Sequence, residues 1–140
     1  MDYRRFGNTL VLRIDRGEEI TEQLKAVCLA ENVKLASVIA LGATDDFTVG
    51  LYDMDAQQYR PNQFRGMHEI VSLSGTVNTM DGEYYSHLHM SAADETGRVV
   101  GGHLTRAVIC ATCEMVVTVI DGRVDRYHDP ELGLNLYKFD

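Results

Sequence analysis

The chain has 140 residues, 45% hydrophobic and 24% charged, which are ordinary values for one globular domain with a single core. Thirteen basic against twenty-one acidic residues leave a formal charge of −8. That balance opposes unaided binding to nucleic acid or an anionic membrane, since both need clustered Lys and Arg, and the longest basic run is Arg4-Arg5.

The segment Met1–Phe6 lacks the apolar stretch of a secretory signal, and the nearly apolar run Met115–Ile120 is far too short to span a bilayer. Three cysteines, an odd number, fit reduced thiols in a cytoplasmic protein. Asn8–Asp15 alternates as a first strand and ends at Arg16-Gly17. The one clear helix follows. Glu18 and Glu19 suit the positive end of its dipole, and Ile20, Leu24, Val27 and Cys28 recur at helical spacing until Glu31-Asn32. Lys34–Leu41, closed by Gly42, and Phe47–Asp53 read as two further strands. Asp55–Gly66 is polar, contains Pro61, and reads as a loop long enough to be a lid or a subunit contact.

His68–Asn78 is the next strand, and Asp81-Gly82 between Met80 and Glu83 predicts a two-residue type I′ turn. Met80 then pairs with Glu83. In that register Val71 and Leu73 oppose Ala92 and Met90, and Gly75 opposes Leu88, which makes one apolar face. Ser72, Ser74 and Thr76 fall on the other, polar face. A one-residue slip would mix the two faces, which a half-buried sheet resists.

The strand Tyr84–Ala92 carries His87 and His89, two positions apart, so both imidazoles leave the same face about 6.6 Å apart. Asp94–Arg98 reads as a three-residue hairpin loop in which Glu95 and Thr96 form a type I turn and Gly97 the left-handed position of a bulge. Asp94 then pairs with Arg98, and His89 falls opposite His103. A two-residue loop would instead set His89 against Gly102 and send His103 to the other face. In the three-residue register the imidazoles converge, with Gly101 leaving room above the sheet. Three histidines with an open fourth position are what a catalytic zinc or a related divalent ion prefers. The alternative is a polar or pH-titrating cluster without metal.

Ala107–Ile120 is rich in Val and Ile and closes at Asp121-Gly122. Glu114 interrupts it, so its carboxylate must be exposed, paired or coordinated. Cys110 and Cys113 match C-x-x-C, but inside a strand they point to opposite faces, and buried core thiols are the better reading. Leu132–Phe139 alternates as a last edge strand. One helix followed mostly by antiparallel strands argues for an α+β fold, a single domain over 1–140 in which a mainly antiparallel sheet packs with one main helix.

Several segments together resemble a stand-alone PPC domain (plants and prokaryotes conserved) over nearly the whole length. They are Arg16-Gly17-Glu18, Ile39–Ala43, Gly66–Gly75, His87-Leu88-His89, Val99–Leu104 and Gly133–Leu136. The resemblance implies an α+β domain assembled as a homotrimer, with a metal at the three matching histidines. In plants the domain follows AT-hooks of Arg-Gly-Arg-Pro, which this chain lacks, and Met67-His68 stands where the plant partner-binding motif has Arg-Phe. Specific binding to duplex DNA by the chain alone is therefore not expected. The fold is also similar to that of acetolactate decarboxylase, a zinc enzyme with histidine ligands.

Three functions follow as alternatives. A metal-dependent small-molecule-binding or regulatory module would use the trimer as scaffold or sensor. A DNA-associated regulator would act like the plant proteins. A zinc enzyme on a carbonyl or carboxylate substrate would use Tyr85 and Ser74 beside the ligands. It would draw a base from Glu114 or Glu69 and a substrate clamp from Arg106.

Overall fold

Alternating burial builds the sheet from its first hairpin. The computed structural model describes residues 1–139. β1 (Asp2–Phe6) pairs antiparallel with β2 (Thr9–Asp15), in which Leu10, Leu12 and Ile14 are buried while Val11 and Arg13 face out. β1 had no strand signal in the sequence reading, because its polar residues conceal the alternation.

Helix α1 (Ile20–Ala30) follows, and Ile20, Leu24, Val27 and Cys28 are its buried residues, as the spacing predicted. The carboxylate of Glu19 caps it, accepting from the Glu22 N–H at 2.9 Å and from the Ala107 N–H at 2.7 Å. One side chain thus satisfies an orphan donor of the helix and ties its start to the sheet. The helix is short, and the fold is mainly antiparallel sheet.

Three strands are far longer than expected: β3 (Ala36–Asp53), β4 (Gln58–Met80) and β6 (Val99–Val119). Lys34–Leu41 and Phe47–Asp53 are one strand, because bulges near Gly42 and Asp45 bend the chain without ending it. The expected loop over Asp55–Gly66 is mostly the start of β4. Pro61 is tolerated there because this part of β4 pairs only with β3, so the missing N–H breaks no second ladder. Val99–Leu104 and Ala107–Ile120 likewise fuse into β6.

β5 (Glu83–Ala93) completes the main sheet in the order β1-β2-β6-β3-β4-β5, with a further pairing of β5 to β6. That extra ladder makes β6, β3, β4 and β5 a closed ring around the core, from which β2 and β1 continue as an open wing. Phe47, Val49, Leu73, Leu88, Met90 and Met115 are among the buried side chains inside. Each such side chain stabilises the fold by about 1.5–3 kcal/mol relative to exposure.

The β4–β5 register agrees with the predicted one at Met80↔Glu83, Gly75↔Leu88 and Leu73↔Met90. It departs at Val71. A bulge puts Ile70 opposite Ala92 and into the core, and leaves Val71 56% exposed on the outer face. A separate two-stranded sheet, β7 (Asp125–Asp129) with β8 (Leu134–Lys138), ends the described chain. The expected edge strand over Leu132–Phe139 is therefore half of a hairpin laid on the main sheet.

Candidate metal centre

The site is set by two turns. Asp81 and Gly82 both have positive φ, 53° and 82°, as a type I′ turn requires. In the second turn Gly97 has φ 79°, the Gly97 N–H donates to the Asp94 carbonyl at 2.9 Å, and the Asp94 N–H donates to the Arg98 carbonyl at 2.9 Å. The Asp94 carboxylate pins the loop, accepting from the Thr96 N–H at 2.8 Å, the Thr96 hydroxyl at 2.6 Å and the Arg98 N–H at 3.0 Å. The three-residue loop is the one formed, and it sets His89 opposite His103.

His89↔His103 is also the last pair of the β5–β6 ladder, so the imidazoles stand where the two strands part. His87 Nε2 lies 3.2 Å from His89 Nε2. The ring centroids are 5.1 Å apart for His87 and His89, 5.1 Å for His87 and His103, and 5.7 Å for His89 and His103. One nitrogen from each of the three falls within 4.8 Å of the others. Tetrahedral zinc with nitrogen ligands at 2.0–2.1 Å spaces those ligands about 3.3 Å apart. The donor set and spacing therefore fit a divalent ion. Burial first, and then the positive charges His103 and His89 would carry, push the His87 pKa from 6.5 down to about 4, and burial likewise lowers His103. Both rings are thus held in the neutral form that binds metal.

The surroundings hold the rings in place. The Tyr59 hydroxyl donates to the His103 carbonyl at 3.1 Å and lies 2.9 Å from the Thr105 hydroxyl. Its ring meets the His103 imidazole edge-on at 5.5 Å. On β4, Ser74 lies opposite His89 and Thr76 opposite His87, as the register predicted. Gly101 serves a different purpose from the expected one. A Cβ there would lie 2.7 Å from the Met90 carbonyl oxygen, so the glycine permits close approach of β5 and β6.

The other candidates lie apart from the three histidines. Glu114 sits on the far half of β6, opposite Arg13 and Leu41, and lines an apolar groove. Glu69 is exposed and faces Ala93, at the loop end of the β4–β5 ladder. Arg106 pairs with Asp46 at 3.0 Å, and that carboxylate also accepts from Gln63. Tyr85 shares the outer face with His87 but packs against Arg126. Burial pushes the Cys113 thiol up to about 12 and raises Cys110 as well, so neither is the low-pKa thiol of a redox motif.

Sequence reasoning passed over Tyr59, Asn78, Arg126 and Tyr137. Arg126 lies in Asp125-Arg126-Tyr127-His128-Asp129, a stretch with nothing to mark one charge as buried.

With this geometry established, comparison with known proteins places the chain. The sequence profile of the Plants and Prokaryotes Conserved (PCC) domain matches residues 1–121. The chain belongs to the PCC domain family. Among solved structures, a candidate DNA-binding protein from Bacteroides thetaiotaomicron is 30% identical, with a TM-score of 0.96 over 99% of this chain and 96% of that one. A metal-containing protein from Archaeoglobus fulgidus is 28% identical, with a TM-score of 0.89 over 99% of both chains. A bifunctional GlmU protein of a Synechococcus strain is 30% identical over 87% of this chain, which spans only 19% of that relative's length. Acetolactate decarboxylase from Bacillus subtilis shares the fold alone, at 13% identity and a TM-score of 0.59 over 87% of this chain and 57% of that one. Among the described residues no helix is long and apolar enough to cross a membrane.

Proposed function

We propose that this PCC protein is a cytoplasmic, homotrimeric module that binds zinc through His87, His89 and His103 and takes a small molecule at the metal. The observation that carries the reading is the convergence of three imidazoles on one face, at the spacing of a tetrahedral ligand set. The likeness to a relative named as metal-containing supports it. A zinc ion so held supplies an open position that polarises a carbonyl or activates water. The chain's own contribution is to hold the rings in register, through the pinned loop that sets His89 opposite His103 and through Tyr59, which fixes His103. Arg106 is already engaged by Asp46, and Glu114 and Glu69 stand elsewhere in the register, so the reading is of a binding or regulatory site.

The trimer has a physical support of its own. The outer face of the wing and of β3–β4 bears a groove of about 670 Å³ lined by Phe6, Val11, Ile39, Leu41 and Val71. These side chains are 43–59% exposed, a contiguous apolar patch that a soluble domain does not leave bare. Arg4 and Arg13 as well as Asp2 and Glu114 line the same groove, so a second copy of the chain meets both charge signs there. Duplex DNA is a poorer partner for a face of this kind on a chain of charge −8.

Elemental analysis of protein purified without an affinity tag tests the metal. About one zinc per chain is expected, and His89→Ala should lower occupancy at least about tenfold. Full occupancy in that variant would sink the three-histidine assignment.

A further inference from the structure

The β7–β8 hairpin lies on the outer face of the sheet immediately beside the three histidines. Tyr137 on β8 donates its hydroxyl to Thr76 Oγ1 at 2.8 Å, and Thr76 is the residue opposite His87. Asn135 reaches the Tyr85 hydroxyl at 3.4 Å, and Tyr85 precedes His87 by two positions on the same face of β5. Between them stands Arg126. Its guanidinium carbon is 4.6 Å from the Tyr85 ring centroid and 4.4 Å from that of Tyr137.

Arg126 is only 8% exposed, yet its hydrogen-bond partners are neutral. Nε donates to Asn78 Oδ1 at 3.0 Å and Nη1 to the Asn135 carbonyl at 2.6 Å. Among the described residues no carboxylate pairs with it, whereas eight other cation–carboxylate contacts do form. The adjacent Asp125 turns instead toward Arg123. Neutral acceptors and ring faces satisfy the N–H groups but leave the charge uncancelled. Burying a guanidinium in that way is costly, and packing alone would be met more cheaply by an apolar side chain. Asn78 and Tyr85, which hold the cation, are one cross-strand pair, and Thr76 and His87 are the next pair on the same face, roughly 6.6 Å further along the strands.

We propose that Arg126 makes the three-histidine centre selective for anionic ligands, of the carboxylate class, at the open position of the metal. This rests on the metal reading of the same site and adds the class of ligand. A fixed, desolvated positive charge on one wall attracts an incoming carboxylate and does nothing for a neutral donor of similar size. Arg126 lies on β7, beyond residue 121 where the family match ends.

Cobalt(II) is the probe, because its visible absorption reports both uptake by the histidines and exchange at the open position. The cobalt-loaded protein is titrated with acetate and, separately, with neutral imidazole. Arg126→Gln should weaken acetate about tenfold and leave imidazole and cobalt stoichiometry within about twofold, while Arg126→Lys keeps most of the acetate affinity. A merely structural arginine would weaken both ligands alike, or neither, and either result overturns the inference. If Arg126→Gln does not fold, wild-type protein labelled with ¹⁵N and loaded with zinc decides. Acetate should shift the Arg126 side-chain N–H resonances and imidazole should not; equal responses overturn the inference. Failure to take up cobalt at all would overturn the metal reading itself, whereas cobalt uptake with no difference between acetate and imidazole overturns only the anion preference.

Discussion

One outer sheet face carries two opposite chemistries. At the β5 end, Thr76, Asn78 and Tyr85, beside His87, are covered by the chain's own β7–β8 hairpin through hydrogen bonds and stacked rings. At the wing end, Ile39, Leu41, Val71, Val11 and Phe6 stay uncovered, although they are the more apolar residues. The difference shows what each cover has to do. A polar site needs fixed partners with defined geometry, which a tethered hairpin supplies at little entropic cost. An apolar patch needs only area, and a second copy can provide it.

The largest expected effect breaks the apolar end. Leu41→Asp places a carboxylate on the patch at a residue already 54% exposed, so the monomer should fold while the trimer fails. Light scattering at micromolar concentration should give a trimer mass for the native chain and a monomer mass for the variant. A monomeric native chain would end the trimer proposal. Metal occupancy of a well-folded variant then tells whether the polar end depends on assembly. A chelator added to the native trimer asks the converse.

Acid acts on the polar end. His87 has its pKa lowered from 6.5 to about 4, first by burial and then by His103, His89 and Arg126. The unfolded chain therefore takes up a proton before the folded one does. Stability of the metal-free protein should be complete above about 6.5 and fall as the pH drops toward about 4. Urea denaturation across that range checks the sign, and His87→Gln should flatten the slope. A slope unchanged by the substitution would assign the acid sensitivity elsewhere.

The smallest change separates cover from site. Tyr137→Phe removes the hydrogen bond to Thr76 and keeps the ring over Arg126. It should cost about 1 kcal/mol in urea denaturation and leave the histidines able to hold metal. A loss of metal binding in this variant would show that the hairpin positions the ligands and does not merely wall them.

The sequence by itself determined the part of the site that depends on local rules. Asp81-Gly82 and Asp94–Arg98 fix their turns by backbone preference, and period-2 alternation carries the register from those turns to His89↔His103 and Ser74↔His89. The helix face was legible for the same reason, since Ile20, Leu24, Val27 and Cys28 repeat at helical spacing. Bulges were not legible. Two residues opposing one have no signature of composition, so the bends near Gly42 and Asp45 looked like strand ends, and Val71 was assigned to the core in place of Ile70. Arg126 was hidden more deeply. Its burial depends on Asn78, Tyr85, Asn135 and Tyr137, which come from three strands besides its own, and only the docking of one sheet on the other brings them to a single guanidinium. Turn chemistry is encoded over a few residues, whereas a buried charge is defined by everything that surrounds it, and that is settled when the chain closes on itself.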